Sequence, residues 1–327
     1  MTIDATPTPI IHPPEQDRLS VLGRFLLALA DIKLAHSVFA LPFAILGAFL
    51  VAPRRSDLPF PIDWLDFLPQ LALIVVCMVF ARTWAMLVNR VVDRRIDAAN
   101  QRTARRAFAS GALSIGDGSL LLGGSALGFI ACCTVFGFLF SNWWPTILSV
   151  PVLIWIGFYS LTKRFTWLCH VFLGGALAVS PIAAAIAVNP ELLTSTPAIW
   201  WIAAMVVCWV AGFDVIYAIQ DIEYDRQVGL NSIPARFGYK NAAWLSRGLH
   251  LLAIGALVLA WQSTDQLGVL FGTGIALVGS VLVLEHIVLQ RRGQAGIPMA
   301  FFTLNGVVSV VLGITGCVDL VFTSVSY

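Results

Sequence analysis

The chain has 327 residues, 58% of them hydrophobic and only 12% charged, with a formal net charge of +2. That charged share is about half of what a soluble domain carries, and a water-soluble fold must still present a polar skin. Soluble and disordered classes are thereby excluded, as is a free-standing nucleic-acid binder, and an integral membrane protein remains.

Residues 1–20 carry Pro7, Pro9, Pro13 and Pro14 among polar neighbours. They lack the basic start and cleavage site of a signal peptide and read as a disordered lead before a single membrane domain, 21–327. A hydrocarbon core about 30 Å thick takes roughly 20 apolar residues per helical span. Such runs fall at 33–52, 69–91, 117–140, 145–161, 167–188, 199–218, 243–262, 267–289 and 299–323. They are continuously apolar rather than alternating, which argues against a β-barrel and predicts an all-α polytopic protein with nine transmembrane helices. Most of the 20 Lys and Arg lie in the N-terminal segment or in the connections after the second, fourth, sixth and eighth spans. By the positive-inside rule the N-terminus and these loops are cytoplasmic, in a cell (inner) membrane. Trp64, Trp143, Trp144, Trp200, Trp201 and Trp261 flank spans at the opposite face, where interfacial anchors belong. The six cysteines include no Cys-x-x-Cys pair and read as small buried hydrophobes. The pairs Gly123–Gly124 and Gly174–Gly175 suit close helix packing.

Acids beside a span are costly, at about 2.5–3.5 kcal/mol each on insertion scales. Six of the 18 carboxylates nevertheless fall in two short segments, Asn89-Arg-Val-Val-Asp93-Arg-Arg-Ile-Asp97 and Asp214-Val-Ile-Tyr-Ala-Ile-Gln-Asp221-Ile-Glu223-Tyr-Asp225. On a helix at about 100° per residue, Asn89, Asp93 and Asp97 form one face, and Asp214, Asp221 and Asp225 fall within about 40° of one another. Stacked carboxylates repel unless a cation lies between them. Asn89, Asp93, Asp97, Asp221 and Asp225 are therefore candidate ligands for Mg²⁺, which typically takes one or two carboxylates, waters and substrate phosphates. Either segment alone could equally be a solvated cluster of loop acids and arginines; two in matching positions, in a chain poor in acids, favour a metal.

Cations are interleaved with these acids at Arg102, Arg106, Lys163, Arg164 and Arg236. A diphosphate needs both a bridging metal and fixed cations, because negative charge develops on its oxygens as it departs. Arg82 lies inside the second span, within about 20° of Asn89, and a charge there should face the bundle interior or a wet cavity. His36 stands early in the first span; a satisfied core histidine and a contact to a polar substrate are both open. Tyr159 and Tyr217 sit beside the clusters, where interfacial tyrosines are common, and an aromatic face also suits a substrate carbocation. Glu285 and His286 have no evident partner.

At these residues the chain resembles the UbiA superfamily of intramembrane aromatic prenyltransferases. The Asn-x-x-x-Asp-x-x-x-Asp motif matches Asn89, Asp93 and Asp97, preceded by the family arginine at Arg82. Arg-Thr-x-x-Arg matches Arg102, Thr103 and Arg106, and Tyr-x-x-x-Lys-Arg-x-Thr matches Tyr159, Lys163, Arg164 and Thr166. The second acidic motif matches Asp214, Tyr217, Ala218, Asp221 and Asp225, trailed by Gly229 and Ser232. The chain departs from the family at Arg106-Ala-Phe-Ala109, at Cys169-His170 where a Pro-Gln pair is usual, and at Asn231 where Lys is usual. The first span lacks the Asp-Lys-Pro-x-Gly motif of the best-known 4-hydroxybenzoate enzymes and looks more like a UbiA-like bacterial branch.

The resemblance implies helices around a central cavity and a Mg²⁺-dependent transfer of a polyprenyl group from polyprenyl diphosphate to a hydroxyaryl carboxylate in quinone biosynthesis. The acceptor expected is 4-hydroxybenzoate, with 1,4-dihydroxy-6-naphthoate of the futalosine menaquinone route as the alternative. It further implies diphosphate contacts from Arg102, Arg106, Lys163, Arg164 and Arg236. Catalytic acids are expected at Asp93, Asp97, Asp214, Asp221 and Asp225, with Asp214 helping to remove a proton. Acceptor or prenyl contacts are expected from Arg82, His36, Tyr159, Tyr217 and Ser232. The prenyl tail would open to the lipid bilayer, and no nucleic-acid partner is expected. The rival from another class is a secondary transporter, against which both acidic stripes lie on one membrane face.

Overall fold

The computed structural model describes residues 20–32, 39–55 and 62–322. Eleven α-helices follow in order: α1 (Val21–Ile32), α2 (Leu41–Leu50), α3 (Trp64–Ala99), α4 (Ile115–Phe140), α5 (Trp144–Thr162), α6 (Cys169–Val188), α7 (Pro197–Ala218), α8 (Ile222–Val228), α9 (Ile233–Gln262), α10 (Val269–Arg292) and α11 (Asn305–Phe322). Among the described residues there is no strand, only an isolated antiparallel bridge between Arg54 and Ile62.

Among the described residues, eight stretches are long and apolar enough to cross a membrane, and α2 is a shorter ninth apolar helix. The expectation of nine full spans is thus corrected to eight plus α2, since the run at 33–52 forms only ten described helical residues. Residues 33–38 of that run, His36 included, lie outside the described residues, as does the lead up to residue 19.

Local chemistry explains the element boundaries. Asp63 caps α3 through Leu65 N–H, and Ser114 with Asp117 forms a reciprocal capping box at the start of α4. Proline stands in the first turn of α2, α5, α7 and α9, where its missing N–H costs nothing. Gly229, at φ +70°, terminates α8 in a left-handed conformation that a side chain would disfavour.

The helices close into two rings that share α6. One runs α2–α6–α7–α9–α10–α11 and back to α2; the other is α3–α4–α5–α6. The first ring is filled around α7 by Trp209, Phe43, Ile202, Met205 and Phe271, all fully buried. The α6–α7 crossing is tight because Gly174 faces backbone: a Cβ there would lie 2.4 Å from the Val207 carbonyl oxygen. The other glycine pair behaves differently. Gly123 and Gly124 are exposed with nothing near a would-be Cβ, so they do not serve helix packing.

α3 has 36 residues, about 54 Å of helix, which exceeds the hydrocarbon thickness. Its C-terminal turns therefore project beyond the membrane core and carry the first acidic motif. The loops 100–114, 163–168, 219–232 and 293–298 gather at that same end, by the alternation of the helices.

Candidate active site

Asn89, Asp93 and Asp97 lie on α3 at four-residue intervals, as the spacing predicts, and Asp93 and Asp97 are buried. Asp93 is 1% exposed and accepts three bonds: Lys163 Nζ donates at 2.6 Å, Arg164 Nη2 at 2.8 Å and Asn89 Nδ2 at 3.0 Å. One Arg106 nitrogen donates to both oxygens of Asp97 at 2.8 Å, while Thr103 Oγ1 donates to the Asp97 carbonyl. Burying a carboxylate is tolerable only when it is paired in this manner.

The second motif does not continue as one α-helix. α7 stops at Ala218, residues Ile219–Asp221 form a 3₁₀ turn, and α8 begins at Ile222. The tighter turn rotates the later residues relative to Asp214, and the three acids consequently reach three different partners. Arg102 forks onto Asp221 through Nε at 3.1 Å and Nη2 at 2.5 Å, assisted by Asn100 Nδ2 at 3.1 Å. Arg102 Nη1 also donates to the Tyr217 hydroxyl at 2.8 Å, with the guanidinium 5.2 Å from that ring's centre. Burial opposes the charge on Arg102, but its bonds to Asp221 and Tyr217 outweigh burial and raise its pKa. Ser232 caps α9 and donates to Asp225 Oδ2 at 2.8 Å. Asp214 Oδ2 lies 2.7 Å from His170 Nδ1.

The two motifs face each other across Tyr224. Its hydroxyl donates to the Ile96 carbonyl, and its ring lies within electrostatic reach of Asp93, Asp97, Asp221 and Asp225. Among the described residues no three His, Cys, Asp or Glu side chains converge closely enough to hold a metal ion by themselves. The arrangement is instead a cluster of acid–cation pairs.

One turn deeper lies an apolar cavity of about 350 Å³. Arg82 and Tyr159 line it, each about two turns or less from a cluster residue (Asn89 on α3, Lys163 on α5), and it extends along α6 past Leu173, Leu177 and Ser180. Arg82 Nε is buried without a hydrogen-bond partner, a costly state in an apolar wall. Arg236 stands apart: it is exposed and stacks near the rings of Trp167 and Phe237, and among the described residues it pairs with no acid.

Sequence reasoning missed three participants. Asp31 on α1 accepts from Ala107 N–H at 3.2 Å and lies 3.3 Å from Arg90, tying the Arg102–Arg106 loop to α1. Tyr224 carried no distinguishing signal. His170 was visible only as a departure from the family pair. Glu285 and His286 find partners after all, in Asn305 at 3.1 Å and His250 at 3.1 Å.

The comparisons agree with this geometry. The model of the UbiA prenyltransferase family matches residues 40–307. The 4-hydroxybenzoate octaprenyltransferase of Shewanella loihica is 30% identical over 263 residues, 80% of this chain and 88% of that protein. A UbiA homolog from Aeropyrum pernix K1 superposes with a TM-score of 0.75 at 30% identity, covering 88% of this chain and 98% of the other. A UbiA homolog from Archaeoglobus fulgidus bound to GPP and Mg²⁺ has a TM-score of 0.64 at 16% identity, over 90% and 99%, and shares the fold.

Proposed function

The chain belongs to the UbiA prenyltransferase family, and from that premise we propose that it transfers a polyprenyl group from its diphosphate to the ring of 4-hydroxybenzoate. The observation that carries the proposal is the placement of four acid–cation pairs at the mouth of an apolar cavity whose wall holds the partly unpaired Arg82. The relatives from Shewanella support the acceptor. We further place the mouth on the cytoplasmic side of the inner membrane, since the basic loops gather there.

The residues fit a Mg²⁺-bridged diphosphate. Asp93, Asp97, Asp221 and Asp225, with Asn89, present hard oxygen donors, and Mg²⁺ seldom needs an all-protein cage. The chemistry supplied by the bound ion is neutralisation of charge on the departing diphosphate. Arg102, Arg106, Lys163 and Arg164 serve as the fixed cations. The acids hold them at the mouth, and on substrate binding the cations share these contacts with the phosphate oxygens. Arg is suited to fork onto phosphate, and Lys163 contributes a point charge.

The cavity takes the apolar tail and excludes water, which would otherwise quench an allylic cation. Tyr159 in the cavity wall and Tyr217 beside the cations offer aromatic faces to that cation. Arg82 receives the acceptor carboxylate, which would supply the hydrogen bonds its Nε lacks. Asp214 serves as the general base: its partner is a histidine, whereas Asp93, Asp97 and Asp221 are bonded to Lys or Arg and Asp225 is a metal ligand.

The test uses washed membranes containing the full chain, geranyl diphosphate, Mg²⁺ and either 4-hydroxybenzoate or 1,4-dihydroxy-6-naphthoate. A geranylated 4-hydroxybenzoate identified by mass, abolished by chelating Mg²⁺, is the expected result. Product from the naphthoate alone would overturn the acceptor, and no prenylated product from either would overturn the reaction.

A further inference from the structure

The His170–Asp214 pair has a geometry that packing alone does not require. His170 is 2% exposed at the start of α6 and reaches α7 through Nδ1, 2.7 Å from Asp214 Oδ2. Its other nitrogen, Nε2, accepts the backbone N–H of Ile233, the first residue of α9, at 3.3 Å. A backbone N–H can only donate, so Nε2 must present its lone pair, and Nδ1 therefore carries the ring hydrogen. The imidazole is a neutral, single-tautomer bridge that donates to Asp214.

The surroundings hold this bridge firmly. Gly174 lets α6 approach the α7 backbone one turn beyond His170. Cys169 Sγ lies 3.3 Å from the Asn231 carbonyl oxygen, and Asn231 N–H donates to the Lys163 carbonyl at 2.7 Å. The loop before α6 is thus bonded to the loop before α9 on both sides of the ring. Asp214, by contrast, keeps 23% of its side chain exposed. It is gripped at one oxygen and open elsewhere.

The location is also informative. Leu173, Leu177 and Ser180, three, seven and ten residues after His170, line the apolar cavity. Those offsets share one helical face, so His170 stands on the cavity face of α6, one turn nearer the acid–cation cluster. Ser232, adjacent to Ile233, holds Asp225 of that cluster. The pair lies between the compartment for the tail and the compartment for the diphosphate, where the bond between them breaks.

We propose that His170 is the positioning residue for Asp214, fixing the carboxylate that takes the ring proton. The inference rests on the prenyl-transfer reading. Once the prenyl carbon has bonded to the ring, the substituted ring carbon still bears hydrogen. Loss of that hydrogen as a proton returns the C–H electron pair to the aromatic system. The open oxygen of Asp214 takes the proton and becomes a neutral acid, which later yields it to water. His170 neither gains nor loses a proton; by donating to Oδ2 it holds the other oxygen toward the substrate. A glutamine can reproduce both contacts, with its amide N–H on Asp214 and its carbonyl toward Ile233.

The test compares the full chain with His170→Leu and His170→Gln, using 4-hydroxybenzoate deuterated beside its hydroxyl. His170→Leu is expected to lower kcat about 100-fold, the low end of the range for general acid–base catalysis, with KM for geranyl diphosphate unchanged. A primary deuterium isotope effect, absent in the parent, should emerge as proton loss becomes limiting. His170→Gln should recover most of the rate and lose the isotope effect. A parallel rise in KM with no isotope effect in His170→Leu would mean packing only and overturn the proposal, as would unchanged kinetics. A second measurement is independent of turnover: ¹⁵N-histidine solid-state NMR of the whole protein, with His170 assigned by its loss in His170→Leu. An Nδ1–H tautomer supports the proposal, and a ring protonated at Nε2 overturns it. Absence of any prenylated product in the parent chain would instead strike the parent reading, leaving the tautomer to decide the bridge.

Discussion

Asp93 and Asp221 are both catalytic candidates, yet their substitutions should differ in kind. Asp93 is buried against two cations, and breaking a buried pair by removing one partner costs about 3–5 kcal/mol. Asp93→Asn is therefore expected to lose both activity and folded protein. Asp221 pairs with an Arg102 whose side chain is 33% exposed, where water can replace the lost partner. Asp221→Asn should accumulate in washed membranes like the parent while product formation falls about 100-fold or more, in the range for removing one electrostatic stabiliser. Quantifying chain and product in the same membranes checks this. For Arg82, removing the guanidinium should raise KM for the hydroxyaryl carboxylate about 10- to 100-fold, the equivalent of a hydrogen bond to a charged group. KM for the prenyl diphosphate should stay unchanged in Arg82→Leu, and an acceptor lacking the carboxylate should show no further loss. These residues were legible because each breaks a local rule: acids at a costly depth, an arginine inside an apolar run. His170 and Asp31 break none. Their importance comes from partners 44 and 76 residues away, and a single sequence does not reveal distant pairings.

Helices met the pattern where periodicity governs and departed from it where tertiary contacts do. The first acidic motif stays on α3 throughout, so its face was readable from four-residue spacing. The second is broken by the 3₁₀ turn at Ile219–Asp221, which no Gly or Pro announces. Its consequence is functional: the turn separates Asp214, held by His170, from Asp221, held by Arg102. Glycine pairs show the same limit. Gly174 and Gly123 look alike in sequence, but only Gly174 meets neighbouring backbone. A methyl group at Gly174 has nowhere to go, because backbone cannot swing aside as a side chain does. Gly174→Ala should destabilise by about 1–3 kcal/mol, as overpacking does. Gly123→Ala should be neutral or stabilising by up to about 1 kcal/mol through helix propensity. Thermal unfolding of the two variants in the same detergent checks the contrast, with a lower midpoint expected for Gly174→Ala alone.

At the scale of the molecule, alternation of the helices gathers both acidic motifs, the cations and the basic loops at one end. Opposite them stand Trp143, Trp144, Trp200 and Trp201, all exposed as interfacial anchors should be. This asymmetry couples the orientation in the membrane to the supply of substrate. A water-soluble aromatic acid and a diphosphate head must arrive at the end where the cations lie, while the prenyl tail remains in lipid. If the basic end faces the cytoplasm, Arg105 and Ser195, both exposed and in connections at opposite ends, should be accessible from opposite sides. In a background with the six native cysteines replaced, Ser195→Cys should react with a membrane-impermeant maleimide in intact spheroplasts. Arg105→Cys should react only after the membrane is opened. The reverse pattern would place the site on the external side, where a cytosolic supply of prenyl diphosphate could not reach it, and would overturn the orientation proposed here. Labelling of both residues in intact spheroplasts would contradict a single topology altogether, because the three helices between them, α4 to α6, carry the chain across an odd number of times. Three crossings join α4's start to α6's end, and they leave the two cysteines on opposite faces.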